Sequence, residues 1–321
     1  MEIGKRSLEY MPIQLFAMIM GLSGFAIMLA KAYHLLGFPY WIYEVILFVD
    51  CTLFLVIFTG YMMKLLIYTE AVKKEFNHPV KSSFMATISI SFLLLSIAFY
   101  DYNPLISILL WYIGAPLQLV LTLIIIKYWI RNELKVVHSN PAWFIPIVGN
   151  VLVPIIGVEA APIAISLFFF ATGIFFWIVL FIIMMYRLLF HFPLAKKLIP
   201  TFFIFIAPPS VGFISYFKIT DGSVDMLSMC LYSVALFILF LLLFMVRMYD
   251  VKEFFISWWA YTFPLTAISI ATLTLHMAFH STVTYIGSIL MIILTSLVIT
   301  FVTLKTLIAF KTHKICISEE E

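Results

Sequence analysis

The sequence predicts an all-α integral membrane protein: ten transmembrane helices arranged as five parallel helical hairpins around a central pore. Three observations carry that prediction. The 321 residues are 64% hydrophobic and only 11% charged, with a mean hydropathy of +1.13. A soluble domain is about half apolar and a quarter charged. The apolar residues fall into ten runs near the roughly 20 residues that a helix needs to cross the hydrocarbon core. Short motifs also recur along the chain at a period near sixty residues.

The runs cover residues 11–33, 42–68, 82–99, 104–130, 143–158, 161–190, 200–219, 224–248, 255–279 and 281–311. The first is too long for a signal peptide and lacks a small-residue cleavage site. The fifth is short and interrupted by proline. Several even-numbered runs exceed 25 residues, which implies tilt or projection from the bilayer. Paired, they make one transmembrane domain over residues 1–321, with hairpins at 11–68, 82–130, 143–190, 200–248 and 255–311.

Loop charge sets the direction of the runs. One side carries Lys5, Arg6, Lys64, Lys73, Lys74, Lys81, Lys127, Arg131 and Lys135. It continues with Arg187, Lys196, Lys197, Arg247, Lys252, Lys305, Lys311 and Lys314, which brings it to 17 of the 19 basic residues. Only Lys31 and Lys218 lie opposite. The positive-inside rule then predicts that both termini are cytoplasmic.

The odd-numbered runs align on an aromatic residue followed five positions later by a small or helix-breaking one. The pairs are Phe16 and Gly21, Phe84 and Ser89, Phe144 and Gly149, Phe203 and Pro208, Trp259 and Pro264, with steps of 68, 60, 59 and 56. Pro12, Pro79, Pro141 and Pro200 precede the aromatic by three to five residues, and the fifth unit lacks this proline. Units that all enter from one side are parallel repeats, related by rotation about the membrane normal. A ring of hairpins with one helix of each pair at the axis follows.

The odd runs are the expected inner helices. They hold Gly21, Gly24, Pro146, Pro154, Pro208, Pro209 and Pro264, together with Ser23, Thr87, Ser89, Ser91, Asn150, Ser210, Thr262, Thr266, Ser269 and Thr272. Broken helices are tolerated at membrane depth where freed backbone groups meet protein or water. The same small and hydroxyl residues also serve helix packing. The even runs are mostly Leu, Ile, Phe and Val, apart from Gly114, Pro116 and Gly173.

The cores of the odd runs contain no Asp, Glu, Lys or Arg. Coupled transporters usually place an ionisable group at membrane depth. Asp50, in the second run, is expected to serve an interhelical hydrogen bond or sit in an aqueous niche, the alternative being a proton or cation site. An uncharged tunnel suits a channel, from which an ion must also leave. No nucleophile–base pair or ligand cluster appears, so no enzyme, cofactor or metal is expected. The spacing of His276 and His280 could hold a metal, but no third ligand accompanies them. Cys51, Cys230 and Cys316 suggest no disulfide framework. The net charge of +3 gives no sign of a nucleic-acid partner.

The stretches "MPIQLFAMIMGLSG", "NHPVKSSFMATISIS", "NPAWFIPIVGN", "APPSVG" and "WWAYTFPLT" resemble the inner helices of the TehA family. That family groups bacterial tellurite-resistance and dicarboxylate-transport proteins with the slow anion channels of plant guard cells. The resemblance implies a homotrimer in a cell membrane, a bacterial inner membrane, with one pore per protomer for small monovalent anions such as chloride and nitrate. It also implies a phenylalanine plug on the ninth helix, here Phe263, with Pro264 as its hinge. In the internal alignment the equivalents of Phe263 are Met20, Ile88, Val148 and Ala207. With Gly21, Thr87, Ser89, Gly149, Pro208, Thr262 and Thr266 they make up the candidate pore lining. The alternative reading is a secondary transporter of dicarboxylates or tellurite-type oxyanions.

Overall fold

The computed structural model describes residues 7–245, 247, 253–312, 315 and 316. Lys5, Arg6, Lys252, Lys314, the acidic run Ser318–Glu321 and residues 246 and 248 of the eighth expected run lie outside them. In chain order the helices are α1 (Phe16–Leu36), α2 (Tyr40–Ile67), α3 (Thr69–Phe76), α4 (Lys81–Phe84), α5 (Thr87–Phe99), α6 (Pro104–Arg131) and α7 (Ile145–Leu152). They continue with α8 (Pro154–Ala160), α9 (Ile163–Phe190), α10 (Ala207–Ile219), α11 (Met226–Phe244), α12 (Thr262–Phe279) and α13 (Thr282–Lys311).

Among the described residues ten helical spans are long and apolar enough to cross a membrane, and they fall on the ten expected runs. Over an apolar 18-residue stretch of each span, 78–94% of the residues are buried in the odd spans but only 28–39% in the even ones. That contrast puts the odd helices inside. Turns of two to six residues join each odd span to the even span that follows it. At the first turn, Gly37 takes a left-handed backbone (φ 71°), and the amides of Gly37 and Phe38 close α1 on the carbonyls of Tyr33 and Ala32. Asn103, Asp225 and Ser281 cap the starts of α6, α11 and α13.

The inner helices touch in a closed circuit: α1 packs on α5, α5 on α7, α7 on α10, α10 on α12, and α12 back on α1. Closure between the first and fifth units depends on missing side chains. A Cβ at Gly21 would collide with the Thr262 hydroxyl, and one at Gly24 with that of Thr266. The second and third hairpins are held in the same way, since Gly114 of α6 and Gly173 of α9 bring their backbones against Leu93 of α5 and Val151 of α7.

The even spans are single unbroken α-helices, whereas the odd ones change their winding. Four of the five odd spans begin as 3-10 helix, at Ile13–Leu15, Pro141–Phe144, Lys196–Ile206 and Ile256–Tyr261, and then relax to α. The second begins with the single turn α4 and reaches α5 through a turn at Met85 and Ala86. The third breaks again at Pro154, which has no N–H to give. There the Trp111 indole donates to the Val153 carbonyl at 2.9 Å, and the Ser215 hydroxyl donates to that of Val151. The Pro146 carbonyl takes up donors from Gln118 (2.7 Å), Asn150 (2.8 Å) and Thr122 (3.0 Å).

Two basic residues of the Lys- and Arg-rich side are buried in helix ends rather than free in the loops. Lys64 donates to the Met11 carbonyl at 2.8 Å and lies 3.1 Å from Glu75, which also accepts from Tyr61. Arg187 donates to the carbonyl of Phe192. An ammonium or guanidinium at a helix C-terminus can hold carbonyls that would otherwise end without partners.

Candidate functional site

All five odd spans reach one cavity of about 30 Å³. The first contributes Gln14, Ala17 and Met20, and the second Phe84. The third contributes Ile145 and Val148, and the fourth Ile204 and Ala207. The fifth adds Trp259, Phe263 and Pro264. Space bounded by every member of the ring lies at its axis. No side chain on its wall carries a formal charge.

Of the residues singled out in the sequence, Met20, Val148, Ala207, Phe263 and Pro264 meet at this wall. Ile88 is half-buried on α5 and does not reach it, and Phe84 represents the second span there. Gly21 and Gly24 meet Thr262 and Thr266 in the contact between α1 and α12. The two hydroxyls donate to the carbonyls of Trp259 and Phe263. Thr87 donates to the Phe84 carbonyl. Ser89 donates to Gln118 of α6, and Gly149 gives the same glutamine its space. These polar groups therefore serve the helix contacts. Pro208 is buried in the first turn of α10, off the wall.

Pro264 stands in the first turn of α12, directly after the 3-10 stretch Ile256–Tyr261. At the expected hinge the winding changes from 3-10 to α. Pro146 and Pro208 occupy the first turns of α7 and α10 in the same manner. An early helical position suits proline, because amides there have few helical acceptors.

Asp50 accepts the Ser23 hydroxyl and is buried between α2 and α1, away from the cavity. His276 lies 3.0 Å from Thr284, with the His280 ring centroid 5.8 Å from its own.

Two features were not visible in the motifs. Gln14 lines the cavity, and its buried Oε1 has no hydrogen-bond partner. It lies inside "MPIQLF", but nothing in the string tells which way its amide points. At the far, C-terminal ends of the odd spans a charged cluster gathers. Lys218 lies 3.3 Å from Glu159 and 5.6 Å above the Tyr100 ring, while His34 lies 3.0 Å from Asp101. Tyr100 donates to Glu159. That bond, burial and the charges of Glu159 and Asp101 push the phenol up to about 12, so it stays a donor at neutral pH.

The family model described as SLAC1, voltage-dependent anion channel, matches residues 10–307. The S-type anion channel SLAH3 of Arabidopsis thaliana is 32% identical over 306 residues, which cover 92% of this chain and 48% of the relative. SLAH2 of the same plant is 34% identical over 273 residues, covering 82% and 52%. The tellurite resistance protein TehA homolog of Haemophilus influenzae is 29% identical over 216 residues, covering 65% and 64%. The chain spans about half the length of the two plant relatives. With ten apolar helices in place and a match that runs from the first span into the last, this chain belongs to the SLAC1 family, to which the TehA-type proteins are also related.

Proposed function

We propose that this chain is a passive channel for small monovalent anions, chloride and nitrate among them, with Phe263 as the plug of its pore. The observation that carries the reading is the cavity shared by all five odd spans, bare of charge, with Phe263 on its wall. At this register position the other spans carry Met20, Ile88, Val148 and Ala207, so Phe263 is the one aromatic residue among the five equivalents. A phenyl group in an apolar constriction blocks by filling it and by keeping water out. Without a fixed counter-charge, an anion is held weakly and can leave, and selectivity follows its dehydration cost. The Gln14 amide can donate to an anion on the N-terminal side of the plug.

Because one protomer closes the ring by itself, each member of a homotrimer would carry its own pore. The exposed apolar faces of the even helices would meet lipid or another copy. The basic loops favour cytoplasmic termini. Names of the plant relatives, S-type anion channels, support the anion assignment.

Purified protein in planar bilayers tests the reading. Reversal potentials should follow chloride and nitrate gradients, and Phe263→Ala should raise the current on the order of tenfold or more. An unchanged current from folded Phe263→Ala protein would remove the residue from this role. A second reading, a coupled transporter of oxyanions or dicarboxylates, is favoured by the buried carboxylate of Asp50 and by the name of the Haemophilus relative. Transport tied to a proton gradient and lost in Asp50→Asn would select it.

A further inference from the structure

The inner helices can be followed in register beyond the cavity. Eleven residues make three α-turns with about 20° left over, so a residue eleven places on returns to the same face about 16 Å further along. From Met20 this step lands on Lys31, from Ala207 on Lys218 and from Val148 on Glu159. From Ile88 and Phe263 it lands on Phe99 and Thr274. Seven residues on, the same face carries Ile27, Leu95, Ile155, Ile214 and Ile270, one aliphatic residue from each repeat. The axis therefore has an aliphatic level beyond Phe263 and a charged level beyond that.

The register is secure where it matters most, because α1 and α10 run unbroken through both steps. Contacts agree with it. Ser23 turns to Asp50 of α2, and Gly21 and Gly24 turn to α12, which leaves Met20 and Lys31 together on the remaining inner face. On α10, Gly212 faces Ile174 and Leu231, and Tyr216 meets Phe170 and Asp225, so Lys218 points the opposite way.

At this level Lys218 is paired with Glu159, and the Asp101 carboxylate lies 3.0 Å from the His34 ring. Lys31 is half-buried and makes no hydrogen bond or ion pair among the described residues; the charges that reach it are Lys218 and Asp101. A partly desolvated ammonium without a partner is unfavourable unless something anionic joins it.

We propose that Lys31 binds a small monovalent anion at the C-terminal level of the inner ring, beyond the aliphatic residues. The inference rests on reading the axis as an anion path. An ammonium without a direct ion pair can concentrate anions at the mouth of a low-dielectric passage. It is a compact, hydrated point charge and lacks the fork that grips an oxyanion in two places. Glu159 keeps Lys218 from adding a second free charge, so the ion is not trapped.

Anomalous scattering from crystals grown in bromide tests binding without any need for conduction. A bromide peak is expected at contact distance from the Lys31 ammonium. It should vanish in Lys31→Met, while Lys31→Arg, which keeps the charge, retains it. In bilayers with low chloride on that side, Lys31→Met should cut anion entry about threefold, and high salt should erase the difference by screening. Absence of the peak in wild type, or its persistence in Lys31→Met, overturns the site. A peak without any anion current leaves the site standing and removes the channel reading. Ordinary current with neither a peak nor a Lys31→Met effect does the reverse.

Discussion

The third hairpin sets two helices of similar apolar sequence side by side, and they fold differently. The outer one, α9, runs 28 residues without a break. Its inner partner covers residues 141–160 in three pieces, a 3-10 turn followed by α7 and α8. The lipid-facing helix has no outside donors, so each of its carbonyls must find an amide in its own backbone. The inner segments are surrounded by Trp111, Gln118, Thr122 and Ser215, whose side chains donate to carbonyls near the proline-marked breaks. A membrane helix can break where its neighbours can complete it, and in this protein only the inner ring has such neighbours on all sides.

Substitutions that exchange the two environments should separate them sharply. Gly24→Leu forces a side chain into Thr266 at the seam where α1 closes on α12. Overpacking of this kind costs about 1–3 kcal/mol in a packed core. A rigid backbone seam gives less, so we expect loss of monodisperse protein on gel filtration in detergent. Gly287→Ala in outer helix α13 is the control, since its new Cβ would lie 3.6 Å from Thr272, an ordinary contact, and its melting temperature should not move. A tolerated Gly24→Leu would show that the ring is held elsewhere.

Trp111→Phe keeps the ring volume near the break and deletes one donor. The Val153 carbonyl keeps the Gly157 amide and loses only the indole, so unfolding free energy should fall by about 0.5–1.5 kcal/mol, measured in micelles. A neutral result would mean that water or another donor completes the break. The smallest effect belongs to the outer shell. Phe244 of α11 is 89% exposed, and Phe244→Leu should stay within about 0.5 kcal/mol of the parent. A larger loss there would indicate that this face of α11 meets another copy.

The spans and their inside–outside order were legible because they depend on composition summed over twenty residues, which tolerates local error. The aromatic marker of each repeat was also a sound guide. Phe16, Phe84, Phe144, Phe203 and Trp259 are all buried, and each lies within four residues of the start of an α segment. The 3-10 stretches were not legible, since the two windings use the same residues and the choice between them is made by neighbouring helices. Hydroxyls misled for a related reason. Thr262, Thr266 and Ser89 read equally well as lumen or as contact, and only the positions of Gly21, Gly24 and Gln118 decide for contact. Lys31 looked like the edge of a span ending near residue 33, but α1 continues to Leu36 and carries it into the ring.

What the sequence alone determined is the partition between lipid and protein: ten crossings, five repeats, the apolar faces and the side on which the basic loops lie. These follow from transfer free energies of side chains, which add along the chain without reference to a partner. What only the tertiary structure decided is direction at the level of single groups. It sets which hydroxyl meets a carbonyl, which proline starts a helix and which lysine is left without a direct ion pair. Those outcomes depend on distances between residues far apart in the chain, and the closed circuit of α1, α5, α7, α10 and α12 fixes them together.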